Sequence, residues 1–168
     1  RQFRAPGFVE QVRRELDRSG LPPSCLVLEI TESLLVGEGG VDEILATLRG
    51  DGVRIAIDDF GTRFSSLSYL RRLPVDVLKL DKSFVDAVTS SKEQHAIFTA
   101  INQLAQALDL EVVAEGIETL AELDVVSAVG CGFGQGYLLS RPLCYRGSVR
   151  WLREQVPALA VTGRANPT

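Results

Sequence analysis

The chain has 168 residues, of which 45% are hydrophobic and 24% charged, so it can bury a core of ordinary single-domain size. Its net charge of −4 gives no broad electrostatic surface for nucleic acid or anionic membrane, and we predict no DNA or RNA partner. No apolar run approaches the roughly 20 residues of a membrane span, and no signal-peptide pattern opens the chain. These features predict a cytoplasmic protein, whose longer parent could still be membrane-anchored.

The cysteine and methionine content adds two expectations. Cys25, Cys131 and Cys144 lack C-x-x-C spacing and a nearby histidine cluster. Reduced, mostly buried thiols are therefore favoured over a zinc site or a disulfide. The chain contains no methionine, and we expect it to be a piece of a longer protein.

The hydrophobic pattern predicts helices and strands in strict alternation. A helical stripe of apolar residues over 8–16 opens the chain, and Gly20 with the following prolines would end it. Further helices are predicted at residues 41–50, 66–73, 92–108 and 146–156. Another helix is predicted after the strand at 111–117 and ends at about residue 129. Strands are predicted at residues 25–31, 53–60, 75–81 and 111–117 and around 133–140.

This alternation, with strands that are apolar along their length, predicts a parallel sheet covered by helices. Two α/β architectures fit the pattern, an open doubly wound sheet and a (β/α)8 barrel. Length favours the open sheet, because a full barrel typically needs about 250 residues.

The polar residues at the strand ends favour the barrel instead. In a parallel barrel these ends converge on one mouth, where several carboxylates would repel one another unless cations neutralise them. Hard divalent cations prefer oxygen ligands, so we predict a Mg²⁺ or Mn²⁺ type of site there. A single acidic residue at a strand end is more often a helix N-cap or a solvated loop charge, but five successive strands show a charged or amide side chain there. The strand-end residues are Glu29, Glu32, Asp58, Asp59, Lys79, Asp81, Glu115, Glu118 and Gln135.

Three other features of the sequence bear on its function. Lys79 lies inside the apolar run VLKL, where a buried lysine needs an oppositely charged partner or a functional role. His95 lies in a polar stretch and is predicted to be on the surface. The glycine-rich GCGFGQG precedes its strand instead of following it, which argues against a dinucleotide loop.

Five segments resemble one family, the EAL-domain phosphodiesterases. LVLEITES, IAIDDFGTRFSSLSYL, VLKLDKSFV, VVAEGIET and GQGYLLSRPL occur in the order and spacing of that family, over about residues 2–145. The resemblance implies a TIM-like barrel that uses two Mg²⁺ or Mn²⁺ ions. The implied reaction is hydrolysis of one phosphodiester bond of cyclic di-GMP to linear pGpG, in bacterial second-messenger signalling.

The resemblance also implies roles for individual residues. Glu29, Asp58 and Glu115 resemble metal ligands, and Asp59 resembles a ligand of the second metal. Lys79 resembles the residue that contacts the attacking water or hydroxide.

Other positions resemble accessory parts of the same site. Gln135 matches a polar residue near the attacking water, and Glu118 matches an accessory acid. Glu32 resembles the glutamate that steadies the loop after the DDF strand. The substrate and regulatory loop of the family corresponds to Gly61, Thr62, Arg63 and Phe64.

The chain departs from the family pattern at several places. The Glu-Ala-Leu motif that names the family, and an Asn in an N-x-S pattern on the next strand, do not occur in the 168 residues. We therefore expect only the last five β/α units of the barrel, with residues 1–156 as a partial EAL domain and 157–168 as a flexible tail. Arg63 stands where the family usually has glycine, which disfavours a φ > 0 backbone or brings a cation towards the substrate phosphate or the dimer surface.

Two functions remain open on the sequence. The retained acidic residues and Lys79 favour the C-terminal two-thirds of an active phosphodiesterase domain. The missing strands favour a truncated or degenerate, non-catalytic module that binds cyclic di-GMP or a partner protein, since a barrel without three strands exposes two sheet edges. The resemblance further implies a homodimer and linked GGDEF or sensory domains.

Overall fold

A computed structural model describes residue 3 and residues 5–32, 40–61, 70 and 73–162 of the chain, with side chains as far as residue 154. Most of the predicted helix at residues 66–73 lies outside this part, as do Thr62, Arg63 and Phe64 of the predicted substrate loop. Within the described part, helices and strands follow one another largely as the sequence predicts.

The helices and strands have the following bounds. The helices are α1 Phe8–Ser19, α2 Val41–Gly50, α3 Lys82–Asp86, α4 Lys92–Ala107, α5 Leu120–Ala128 and α6 Tyr145–Thr162. The strands are β1 Val27–Thr31, β2 Arg54–Phe60, β3 Val77–Leu80, β4 Glu111–Ala114 and β5 Phe133–Gly134.

The described strands form one parallel sheet in the order β1-β2-β3-β4-β5. A doubly wound sheet reverses its strand order at a switch point, whereas barrel strands follow each other in sequence. The sequential order therefore matches consecutive units of a (β/α)8 barrel, and the prediction of a parallel α/β fold is confirmed.

The core lies between the sheet and the helices that cover one of its faces. Alternate residues of each strand point to this face, and the apolar stripes of α1, α2 and α4 pack against it. Fully or nearly fully buried members of the core include Leu16, Leu45, Leu48, Ile55, Ile57, Leu78, Leu80, Phe98, Val112 and Ile117. Among the described helices, none is both long and apolar enough to cross a membrane.

Several element bounds differ from those predicted. β1 begins at Val27 because Pro23–Cys25 form a short 3-10 turn, in which the proline ring fixes φ. The helix α3 was missed, and Asp81 is its N-cap, with the carboxylate accepting a hydrogen bond from the Ser83 N–H. α6 extends to Thr162, and the domain boundary between residues 156 and 157 stays a prediction.

Asp76 ties together the amino-terminal ends of three strands. Its Oδ2 accepts a hydrogen bond from the Ile55 N–H at 3.0 Å, and its Oδ1 accepts one from Arg49 Nε at 2.9 Å. The backbone carbonyl of Asp76 also accepts a hydrogen bond from the Glu111 N–H at 3.0 Å. This one residue therefore fixes the alignment of β2, β3 and β4 at the end of the sheet opposite the polar strand ends.

We expect Asp76→Ala to lower the free energy of unfolding by about 1–3 kcal/mol, because it leaves the buried Ile55 N–H without an acceptor. Loss of the Arg49 ion pair adds little, since Arg49 is about half exposed. Asp76→Asn keeps an oxygen acceptor and should lose less. Urea unfolding followed by far-UV circular dichroism measures the difference.

The matched control is Asp17→Ala on the exposed side of α1, which should change the unfolding free energy by less than about 0.5 kcal/mol. Equal urea midpoints for Asp76→Ala and Asp17→Ala would show that Asp76 does not organise the sheet.

Candidate metal centre

Four charged residues lie on one face of the sheet at its carboxyl end. Glu29 is aligned with Ala56 across β1 and β2, and Asp58 lies two residues after Ala56, so both share its face. Lys79 lies two residues after the Ala56 partner Val77. Lys79 is in turn aligned with Val113, two residues before Glu115. The face is opposite to that of Ile55 and Ile57, which pack under the helices, so these polar groups point away from the apolar core.

Lys79 is the centre of this group. Its Nζ lies 2.7 Å from Asp58 Oδ1, 2.7 Å from Glu115 Oε1 and 2.9 Å from Glu29 Oε2, and its side chain is only 8% exposed. Burial alone would lower the pKa of Lys79, but the hydrogen bonds to the three carboxylates outweigh it and raise the pKa above its ordinary value. Lys79 is therefore an ammonium group at neutral pH, a hydrogen-bond donor and not a base.

Glu115 is the most deeply buried of the three carboxylates around Lys79. Burial raises its pKa above the ordinary value, although the hydrogen bond from Lys79 acts in the opposite direction. The nearby charges of Asp58 and Glu29 raise it further. One ammonium group thus leaves the negative charge at this end of the sheet incompletely balanced.

Asp59 joins this face because of an irregularity in β2. Ideal alternation would send Asp58 and Asp59 to opposite faces. The pairing with β3 shifts between Ile57 and Phe60, so that β2 carries one extra residue, and Asp59 has a left-handed backbone with φ 55°. As a result, oxygens of Asp58, Asp59 and Glu115 lie within 4.8 Å of one another.

The structure places the other predicted site residues further out. Glu118 is about half exposed and contacts Lys82 Nζ at 2.5 Å, not Lys79. Gln135 follows β5 with an exposed side chain, and its backbone pairs with Ala114 and Ile117. Glu32 is buried after β1, and no donor within the described residues reaches its Oε2. Their predicted roles stay predictions.

Sequence reasoning missed Lys82, which holds Glu118. A signal was present in the spacing, because Lys79 and Lys82 are three residues apart, as are Glu115 and Glu118. The left-handed backbone of Asp59 was also missed, since the sequence around Asp59 does not indicate that β2 has a bulge there.

The chemistry of the cluster fits a divalent cation. Asp58, Asp59 and Glu115 offer hard carboxylate oxygens close enough to share one ion. The ammonium group of Lys79 already lies among Asp58, Glu115 and Glu29, which shows that this volume accepts positive charge. Asp58, Asp59 and Glu115 are therefore the residues that would hold a metal, with Glu29 at the edge of the group.

The sequence is similar to proteins of one family. The model of the EAL domain matches residues 1–142. The chain is 45% identical over 149 residues to the cyclic di-GMP phosphodiesterase NbdA of Pseudomonas aeruginosa, covering 87% of this chain and 19% of NbdA. It is 44% identical over 143 residues to MucR of the same organism, a bifunctional diguanylate cyclase/cyclic di-GMP phosphodiesterase, covering 84% of this chain and 21% of MucR. The chain thus spans about a fifth of the length of these relatives.

Solved structures show the same relationship. The phosphodiesterase PaMucR in complex with c-di-GMP matches with a TM-score of 0.80 and 43% identity, over 86% of this chain and 59% of that one. BlrP1 of Klebsiella pneumoniae, in a complex with manganese and cyclic di-GMP, matches with a TM-score of 0.78 and 34% identity, over 84% of this chain and 36% of that one. The parallel sheet is therefore part of an EAL barrel, and the chain belongs to the EAL-domain family.

Proposed function

We propose that this chain supplies most of the metal-binding residues of a site that hydrolyses cyclic di-GMP to linear pGpG with two Mg²⁺ or Mn²⁺ ions. The observation that carries the proposal is the cluster of Asp58, Asp59 and Glu115 oxygens within 4.8 Å of one another. Relatives named as cyclic di-GMP phosphodiesterases support the substrate, and the manganese complex of BlrP1 supports the metal.

The residues of the site have separate tasks in this reaction. When bound, the ions would supply positive charge that activates a water and stabilises the attacking and leaving oxygens of the phosphodiester. Asp58, Asp59 and Glu115 would hold the ions at the carboxyl end of the sheet, since their oxygens lie within 4.8 Å of one another. The Lys79 ammonium group, at 2.7 Å from Asp58 and Glu115, would orient an oxygen by donating a hydrogen bond.

The activity is proposed for a complete EAL domain that contains these 168 residues. Because Glu-Ala-Leu and the N-x-S asparagine are absent from this sequence, we expect the 168-residue chain by itself to have little or no activity. We also propose a cytoplasmic homodimer linked to GGDEF or sensory domains.

A binding module without catalysis is the second candidate. Large hydrophobic side chains are exposed on both edge strands of the described sheet, with Val27 of β1 at 39% and Phe133 of β5 at 53%. Such edges pair readily with further chain. Turnover of cyclic di-GMP by the complete domain separates the two candidates.

We expect Asp58→Asn to weaken Mn²⁺ binding to the 168-residue chain at least about tenfold, because it removes one anionic ligand from the cluster. Electron paramagnetic resonance of free Mn²⁺ measures the affinity. The control Asp42→Asn, on an exposed turn of α2, should bind like the unmodified chain. Equal losses in the two variants would rule out the proposed metal cluster.

Lys79→Met separates charge balance from catalysis in a complete EAL domain. Removing the ammonium group from among three carboxylates should tighten Mn²⁺ binding, while kcat for cyclic di-GMP falls about 10²-fold or more because an oriented donor is lost. Titration with Mn²⁺ and steady-state kinetics give the two quantities. A variant with weaker Mn²⁺ binding and unchanged kcat would contradict both assigned roles of Lys79.

A further inference from the structure

The short helix α3 contacts the segments that follow both of the strands leading to the metal cluster. It follows β3 directly, and in the sheet β3 lies between β2, which carries Asp58 and Asp59, and β4, which leads to Glu115. Two side chains of α3, Lys82 and Phe84, reach the segments just beyond these two strands. Neither residue has a role in the function proposed above.

Phe84 touches the end of β2 at Gly61. Gly61 has a left-handed backbone with φ 89°, and a β-carbon built on it would lie 2.3 Å from Phe84 Cζ. The ring therefore packs directly on the backbone, at a position that only glycine fills without strain. Gly61 lies two residues after Asp59, so this contact limits how far the bulged end of β2 can move towards β3.

Lys82 makes the corresponding contact on the other side. Gly116 has φ 75°, and a β-carbon built on it would lie 2.4 Å from Lys82 Cγ. The Lys82 ammonium group continues past Gly116 to Glu118 Oε1 at 2.5 Å, with Asp86 Oδ1 at 3.8 Å. The turn after β4 is therefore held at Glu115 by Lys79 and at Glu118 by Lys82.

The backbone around this turn is also fixed. The Glu115 N–H donates to the Leu80 carbonyl at 3.0 Å, which joins the turn to β3. The Glu118 N–H donates to Glu122 Oε2 at 2.8 Å, within the capping box of α5. With the turn anchored at both ends, the contact of Lys82 with Gly116 determines how closely the turn approaches α3.

We propose that α3 is a spacer for the metal site, in which Phe84 and Lys82 are positioning residues that set the separation between the Asp58–Asp59 pair and Glu115. The proposal rests on the proposed metal-binding function and adds to it two residues that do not touch the metal. Close packing transmits small displacements, so shortening either side chain should let the segments beyond β2 and β4 shift towards α3 and change the separation of the carboxylate oxygens.

The test measures Mn²⁺ affinity and thermal unfolding of a complete EAL domain that contains these 168 residues, for Phe84→Leu, Lys82→Ala and Lys82→Arg. We expect about tenfold weaker Mn²⁺ binding for Phe84→Leu and for Lys82→Ala, as for other residues that orient metal ligands. Lys82→Arg keeps both the aliphatic stem and the charge, and should restore the affinity to within about threefold of the unmodified domain.

Matched controls remove the same groups elsewhere. Phe8→Leu shortens a half-buried aromatic side chain of α1, and Lys92→Ala removes an exposed lysine at the start of α4. Both should leave Mn²⁺ affinity unchanged when all variants are compared at a temperature where they remain folded. Lys82 is about half exposed, so Lys82→Ala remains a valid test even if Phe84→Leu does not fold.

Asp58→Asn distinguishes failure of the spacer from failure of the metal site. If Asp58→Asn weakens Mn²⁺ binding at least about tenfold while Phe84→Leu and Lys82→Ala bind like their controls, the spacer is wrong and the metal site stands. If the unmodified complete domain binds no Mn²⁺, the proposed function and the spacer are both contradicted. Weak binding by Lys82→Arg, equal to that of Lys82→Ala, would also overturn the spacer.

Discussion

The structure depends on balancing negative charge at the carboxyl end of a parallel sheet. Adjacent strands bring Glu29, Asp58 and Glu115 to one face, where Lys79 Nζ lies within 2.9 Å of all three. Partly buried carboxylates at such short separation repel each other strongly, so the arrangement needs positive charge. One lysine supplies part of it, and the oxygens of Asp58, Asp59 and Glu115 form a place where a divalent cation can supply the rest.

The two ends of the sheet contribute to this arrangement in different ways. At the amino-terminal end, Asp76 aligns β2, β3 and β4 with hydrogen bonds to backbone groups and to Arg49. Regular pairing from that end carries the register to Lys79 and Val113. At the carboxyl end, β2 departs from regular pairing, and the bulge at Asp59 is what adds a further carboxylate to the cluster. The residue that aligns the strands and the residues of the candidate metal site thus lie at opposite ends of the same sheet, as is general in parallel barrels.

Much of this could be predicted from the sequence, because it follows from periodicity. Helix α2 was predicted with its observed bounds, Val41–Gly50, and the parallel sheet followed from the alternation of apolar strands with helices. The convergence of strand ends followed from the parallel sheet, and Lys79 was recognised as a lysine that needs partners. What could not be predicted depends on tertiary contacts. The backbone of Asp59 and the packing of Phe84 on Gly61 depend on contacts between separate segments. The pairing of Lys82 with Glu118 also joins distant segments, although the matched spacing of Lys79 with Lys82 and of Glu115 with Glu118 carried a signal for it. The length argument for an open doubly wound sheet failed because it counted strands in the chain and not their order.

The central claim is that Asp58, Asp59 and Glu115 together hold a divalent cation at the end of this sheet. Anomalous diffraction at the manganese edge, from crystals of a complete EAL domain containing these residues and grown with Mn²⁺, tests it most directly. The account predicts an anomalous peak within about 2.5 Å of oxygens from these carboxylates, the ordinary range of such metal–oxygen bonds. A fully loaded crystal with its manganese peaks elsewhere, and Lys79 still bound to Asp58 and Glu115, would contradict it.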